Sequence, residues 1–557
     1  MRSRSGSRGD RRHTDRPRRI RGPIRTPRPP HRVTTKKRVV VVGAGLAGLA
    51  SAIRLAAAGV HVAVVERGTR PGGKMGRREI GPYRWDSGPT IFTLPELFDQ
   101  LWSAAGARRS DDLTLLPVEP ASRTFFADGS VLETSSDLTK LAASFGALDP
   151  RDAAGIPAFM RRGEKLWREL DQTFFRKTLS PLSLLAPSSW LAGIRLDAAT
   201  PYSRRINQTF HDERIRHVMR YKSIYLGSTP QSVPGAFLSI PYIEAKFGTW
   251  HPEGGMHEAP LAMERLARRL GVEFRYGTDA IGSVIRDKRI SALRIAPRSA
   301  QPRTLGTGPA APNQPDEERI EADAVLFNAD IVHANRDLIG EEHLGLFSRR
   351  RFKSITPSSS AYILHLGVKR TFQDLAHHTV WHPENPNDEL DRIISSPVPS
   401  GDPTLYIQHV AATDPTARLD GRTALYVLTP VPPLKDRRWW EEHRDEYRAA
   451  TIKRVCERTG LKPEEIEEQA DWTPLEFERE QYCHDGSIFA LAASFFQSAY
   501  FRPANASPDI ANAFFAGGGS QPGGGIPLVM LSGYIASRTI LQRLGLPLPP
   551  SEAGQIA

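Results

Sequence analysis

Residues 38–66 constrain the fold more tightly than any other stretch of this sequence. Positions 39–42 (VVVV) form an unbroken β-branched run, as expected of a strand buried on both faces. The run enters Gly43-Ala44-Gly45-Leu46-Ala47-Gly48, and residues 46–58 then read as a small-residue helix closed by Gly59. A second apolar strand over 62–65 ends at Glu66. This is a complete βαβ unit, and its parallel strands require a sheet covered by helices. The three glycines do different things. Gly43 permits the tight turn, Gly45 lets backbone approach a pyrophosphate, and Gly48 lets helix and strand pack closely. The helix start presents unpaired N–H groups and the positive dipole end to phosphates. Glu66, 23 residues after Gly43, stands where a carboxylate binds ribose hydroxyls and favours an unphosphorylated adenosine ribose.

Two further segments extend the nucleotide site beyond what NAD requires. Arg67, Arg70, Gly72, Gly73 and Lys74 put backbone and cations where a diphosphate could lie. Asp86-Ser87-Gly88-Pro89-Thr90 forms a turn of small residues suited to lie against a flat ring, although Asp86 to Gly88 alone reads as an ordinary turn. The third segment, residues 517–527 (GGGSQPGGGIP), has six glycines in nine positions between a buried strand and an apolar helix. Pro527 suits the first turn of that helix, whose N–H groups would face the loop and could stabilise charge on a reduced flavin.

The net charge of +13 belongs to one end of the chain. Residues 1–38 hold 15 Lys/Arg against Asp10 and Asp15, leaving 60 basic and 60 acidic residues elsewhere. A nucleic-acid-binding body is therefore not expected. Rich in Arg and Pro and poor in large apolar residues, the tail over 1–37 is expected to be disordered. It is either a segment for anionic lipid or nucleic acid, or an extension without a role. Two cysteines exclude a disulfide framework, and the sixteen histidines show no metal-ligand spacing, so no metal is expected. No window reaches 18 consecutive apolar residues, so no spanning helix is expected.

At this point the sequence resembles the bacterial carotenoid desaturase family, the phytoene-desaturase-like flavoproteins. The resemblance rests on residues 39–92, on 225–256 (YLGSTPQSVPGAFLSIPYIEAKFGTWHPEGGM), on ALYVLTPVP at 424–432 and on the closing motif over 497–533. It implies an α/β flavin-containing amine-oxidase-like fold: a discontinuous Rossmann-like FAD-binding domain (38–135, 253–335, 486–545), an inserted α+β substrate domain (336–485) and a substrate or membrane-associating region at 136–252. Residues 546–557 would form a C-terminal tail. Carried over by motif, Gly43, Gly45, Gly48, Glu66, Gly72, Gly73 and Lys74 would contact FAD. Asp86, Gly88, Pro89, Thr90, Gly518, Gly525, Ile526 and Pro527 would lie near its isoalloxazine, and Val284 beside its adenine. Gln521 stands where many relatives have histidine, so no histidine base is expected there.

The implied reaction removes a hydride and a proton from adjacent carbons of a long isoprenoid polyene, with a quinone or oxygen as candidate electron acceptor. Glu244 is the candidate catalytic carboxylate, beside a developing cation; a structural salt bridge is its other reading. Residues 174–196 (FFRKTLSPLSLLAPSSWLAGIRL) mix Phe, Trp and Leu with Arg and Lys. They read either as an interfacial segment or as an apolar cap on the substrate domain, and Pro181 and Pro187 preclude one long helix. The expected location is cytoplasmic, with peripheral membrane contact. Three other readings are a redox-neutral polyene isomerase, an amine oxidase of water-soluble substrates, and a scaffold acting through the basic tail.

Overall fold

The β-branched run becomes the middle of a five-stranded sheet. Its order is Ala513–Phe515, Ala324–Phe327, Arg38–Val42, His61–Val65, Glu273–Arg275, and every pairing is parallel. Val40 lies between Val325 and Ala63, and Val39, Val40 and Val41 are completely buried. A strand covered on both faces has no solvent side, which is why this one does not alternate. Parallel neighbours cannot be joined by hairpins, so the sheet collects strands from 38–65, 273–327 and 513–515. The helix Leu46–Ala57 is buried from Leu46 to Ala56 and packs against Ile526–Leu544. Ser51 Oγ ties the two together by donating to the Gly533 carbonyl at 3.1 Å.

This structure, a computed structural model, describes residues 36–175, 177–179, 181–299, 303–312, 314–549 and 552. The basic tail expected over 1–37 lies outside the described residues except for its last two positions.

Beside the parallel sheet, Thr278–Arg286, Arg289–Pro297 and Glu318–Glu321 form an antiparallel sheet. A second large sheet has seven strands in the order Ile466–Trp472, Ser360–Val368, Thr423–Val431, Leu405–Gln408, His378–Trp381, Ser122–Phe125, Val131–Thr134. Ser360–Val368 is buried along its whole length, and Arg437–Thr459 covers this sheet, with Trp440 stacked 6.0 Å from Tyr362. The stretch 38–135 thus serves both large sheets, since its two strands after residue 121 form one edge of the second.

Residues 136–252 are largely helical: Leu138–Gly146, Pro150–Thr173, Pro187–Arg195, Tyr202–Thr209, Glu213–Tyr221 and Ser239–Phe247. Asp137, Asp149 and Asp212 cap three of these helices by accepting backbone N–H bonds. Most of the helices span only two to three turns, too short to display a hydrophobic period against this mixed composition. Among the described residues, no helix is long and apolar enough to cross a membrane.

Candidate cofactor and substrate site

The carboxyl ends of the parallel strands open into a cavity of about 1130 Å³. Gly43 leaves the first strand at φ +99°, a conformation suited to glycine, and its N–H donates to the Val65 carbonyl at 2.8 Å. Gly45 faces the cavity, and a Cβ added there would lie 2.8 Å from Asn328 Oδ1. Gly48 does not line the cavity. It sits behind the wall, where a Cβ would approach the Gly43 carbonyl to 2.2 Å, so its part is close packing rather than ligand contact.

Glu66 lines the cavity with its carboxylate already held by backbone: Oε2 accepts from Ala44 N and Oε1 from Gly68 N, both at 2.7 Å. Burial raises its pKa, and those two N–H groups together with the Arg67 charge work against the rise. Gly72, Gly73 and Lys74 follow along the same wall; Gly72 N donates to the Ala44 carbonyl at 2.9 Å, and Lys74 Nζ to the Ile488 carbonyl at 2.9 Å. Gly88, Pro89 and Thr90 line it as well. A Cβ on Gly88 would come within 1.7 Å of the Lys74 carbonyl, so the two loops are pressed together at a point only glycine tolerates.

Two expected contacts are not brought to the cavity. Asp86 turns away: its buried Oδ1 accepts from Met256 N at 2.8 Å, and burial pushes its pKa up against the nearby His251, Arg77 and Arg84. It joins the 83–86 strand to the turn at 254–256. Val284 pairs with Ala292 far along the antiparallel sheet; the same strand reaches the cavity through Thr278, Asp279 and Ala280.

The closing glycine segment meets the opening one here. Gly518, Gly525, Ile526 and Pro527 line the cavity, and the helix Ile526–Leu544 begins at its wall with Pro527 in the first turn and no side-chain cap. Asn328, on which no expectation rested, links the segments: Oδ1 accepts from Gly48 N and Nδ2 donates to the Ala516 carbonyl, both at 2.9 Å. Buried Arg502 holds the loop from behind through the Gly518 and Ser520 carbonyls, and burial lowers its pKa to about 10. The only signal for either residue was an Asn-Ala-Asp step after an apolar strand and a lone Arg before proline, too common to read.

Away from the glycines the lining becomes apolar, with Trp167, Phe175, Val218, Phe237, Ile240 and Ile243. Glu244 is set in this wall as the ion-pair partner of Lys222, both nearly buried. Tyr406, also in the wall, donates to Thr90 Oγ1 at 2.7 Å, and its oxygen lies 2.7 Å from His378 Nδ1. Gln521 does not face the cavity; it accepts from Leu179 N and donates to the Leu179 carbonyl, both at 2.9 Å.

The family model for flavin containing amine oxidoreductases matches residues 46–541. The chain belongs to that family. Among the relatives of this flavin oxidoreductase is the zeta-carotene-forming phytoene desaturase of Myxococcus xanthus, 32% identical across 91% of this chain and 94% of that protein. The phytoene dehydrogenase of Streptomyces griseus is 35% identical across 90% of this chain and 94% of its own length. Of solved structures, an oxidoreductase from Methanosarcina mazei superposes with a TM-score of 0.59 at 16% identity, over 91% of this chain and all of that one, a likeness of fold. The cofactor of this flavin oxidoreductase is FAD. The residues present fit it: the glycines at 43, 45, 72–73, 517–519 and 524–525 face one cavity, two uncapped helix starts abut it, and a carboxylate lies at the end of the second strand.

Proposed function

We propose that the chain is an FAD-dependent carotenoid desaturase, which removes a hydride and a proton from neighbouring carbons of a long isoprenoid polyene. The carrying observation is the union of two surfaces in one cavity, a glycine-lined wall and an apolar arm built by Trp167, Phe175, Phe237, Ile240 and Ile243. The names of the relatives point to the same substrate class.

FAD bound against the glycine wall supplies a two-electron acceptor. In this reading Gly45, Gly72 and Gly73 admit its diphosphate, Glu66 faces its ribose, and the 88–90 and 517–527 segments meet its ring. The chain's own part is to bind and orient the polyene and to exclude water. The aromatic and aliphatic arm holds the hydrocarbon. Lys222 and Glu244 place a paired carboxylate in that wall, where its field partly offsets positive charge arising on the polyene. Residues 174–196 would meet a membrane, which supports delivery of a water-insoluble substrate; Phe175 lines the cavity while Leu185 is 82% exposed. A quinone or oxygen would then take the electrons.

The test is an assay with candidate carotenes in liposomes. Desaturation shifts absorbance to the red and removes two hydrogens per step. A product of unchanged mass would support the isomerase reading instead, and turnover of a water-soluble amine without lipid would support the amine-oxidase reading.

A further inference from the structure

Three separate segments leave large apolar side chains in solvent: Leu185, Trp190, Leu191 and Ile194; Leu346 and Phe347; Phe495 and Phe496. Ile194, Phe347 and Phe496 are 77%, 72% and 75% exposed, so the fold does not use them. Contacts connect the segments side by side. The Arg351 guanidinium donates to the Phe501 carbonyl, and the Phe501 ring lies 5.9 Å from Phe495 and 5.8 Å from Phe496. Residues 499–501 lie against 181–185, and Tyr500 meets Phe174 edge-on at 5.4 Å.

We propose that the helix Leu346–Lys353, together with Phe495, Phe496 and the 185–194 side chains, forms a docking surface for a lipid bilayer bearing anionic headgroups. The inference rests on the reading that residues 174–196 meet a membrane, and it adds a second insertion point and a lipid chemistry. Leu346–Lys353 turns Ser348 and Phe352 into the protein and leaves Leu346, Phe347, Arg349, Arg350 and Lys353 outside. Apolar tips followed within one or two turns by cations match a bilayer interface, where acyl chains lie next to charged headgroups. Residues 341–353 carry Arg349, Arg350, Arg351 and Lys353 against Glu341 and Glu342. Glu341 is engaged by Arg336 at 3.1 Å and Lys353 at 3.8 Å, whereas Arg350 has no ion-pair partner among the described residues. Lys177 and Arg195 are exposed on the neighbouring segment, Arg195 lying 3.8 Å from Glu169. That surplus of positive charge selects an anionic lipid surface over a neutral one. The cavity lies directly behind, since Phe175 lines it and packs 5.6 Å from Trp167, which lines it too.

The test is flotation of the full chain with vesicles of phosphatidylcholine alone or mixed with phosphatidylglycerol. Every variant keeps the basic N-terminal residues, so differences between variants report on this surface. Arg350→Gln with Lys353→Gln is expected to weaken binding to the anionic vesicles about tenfold or more and leave binding to neutral ones unchanged, since each near-surface cation counts for about 1 kcal/mol. Leu346→Ser with Phe347→Ser is expected to weaken binding to both, including at about 1 M salt, where charge attraction is screened to about 3 Å. Unchanged melting temperatures establish that these exposed substitutions leave the fold intact. Trp190→Ser with Ile194→Ser examines the underlying membrane reading by itself. If that pair abolishes binding while both 346–353 variants bind like the parent, the inference is overturned and the membrane reading stands. If the 346–347 variant instead changes the oligomeric mass in lipid-free solution and not vesicle binding, the surface joins copies of the chain and the inference is likewise overturned.

Discussion

Asn328 clamps the first glycine turn from below, its Oδ1 accepting the Gly48 N–H at 2.9 Å while its Nδ2 donates to the Ala516 carbonyl at 2.9 Å. One side chain thus fixes the distance between backbone segments that lie at residues 48 and 516 of the chain. Asn328→Leu would strand a donor and an acceptor, each costing about 1–3 kcal/mol when buried. The variant is expected to melt at lower temperature and to purify with less than half the flavin of the parent, read from the 450 nm region of its absorbance spectrum relative to protein.

Gly45 tests the same wall from the ligand side. A β-carbon there would sit 2.8 Å from Asn328 Oδ1, the acceptor of the Gly48 N–H, in the wall assigned to the pyrophosphate. Gly45→Val is expected to yield colourless protein, whereas Gly155→Ala, at a helical glycine with open space around it, should purify as yellow as the parent. A yellow Gly45→Val protein with full FAD content would remove residues 43–48 from the cofactor site.

These two positions also mark what could be read in the amino-acid sequence. The opening βαβ unit was legible because its signals are local: a β-branched run, glycines at fixed spacing and an acidic residue at the next strand end lie within 29 residues. The closing segment was legible for the same reason, six glycines between a buried strand and an apolar helix. Asn328, Arg502 and Lys222 were not, because each acts on a partner brought close only by folding, and an isolated Asn, Arg or Lys carries no periodicity. Val284 was misplaced for a related reason: position along a long strand decides cavity contact, and the register with Ala292 puts it beyond the residues that reach the cavity. At Gly48 the structure has the close helix–strand packing read from its spacing rather than the FAD contact that the resemblance implied, and Asp86, implied near the ring, is held by a backbone hydrogen bond.

Lys222 and Glu244 form an ion pair with side chains only 6% and 11% exposed. Lys222→Met strands the carboxylate in an apolar wall, and removal of one partner from such a pair costs about 3–5 kcal/mol. The double variant Lys222→Met with Glu244→Leu removes both charges and is expected to regain most of that loss in urea unfolding. If the carboxylate also assists the reaction, the double variant will be stable and retain flavin yet turn over more slowly. Equal turnover would assign the pair to structure alone.

Burial pushes the imidazoles of His217 and His378 down to about 3 and that of His365 to about 4. Their ordinary value is 6.5, so the unfolded chain binds protons that the folded one refuses. The stability they contribute is fully present above pH 6.5 and is lost as pH falls toward 4 and then 3, by about 1.4 kcal/mol per pH unit for each ring. Glu389 works in the opposite direction: burial raises it to about 7, so it favours the fold progressively as pH drops from there to its ordinary 4.5. Urea unfolding across roughly pH 5 to 7 should therefore show a net loss on the acid side, and His365→Phe should flatten the slope by about one proton's worth. A slope unchanged in the variant would mean that His365 is free to protonate in the folded protein.

Gln521, which sits just before Pro522 in the closing glycine segment, has a mooring role. Its Oε1 accepts from Leu179 N at 2.9 Å, while Nε2 donates to the carbonyls of Leu179 at 2.9 Å, Ala499 at 3.2 Å and Arg502 at 3.3 Å. A neutral amide can be donor and acceptor at once, so one residue ties the 174–196 segment to the closing glycine loop. Gln521→Ala leaves Leu179 N and several carbonyls without this partner, at about 1–3 kcal/mol for each group that water does not reach. The cost falls on the attachment of that segment rather than on the parallel sheet. Limited proteolysis is therefore expected to cut the variant within 174–196 several-fold faster than the parent, with the flavin content unchanged. Equal cleavage rates would show that the segment is held by its other contacts, Phe174 against Tyr500 among them.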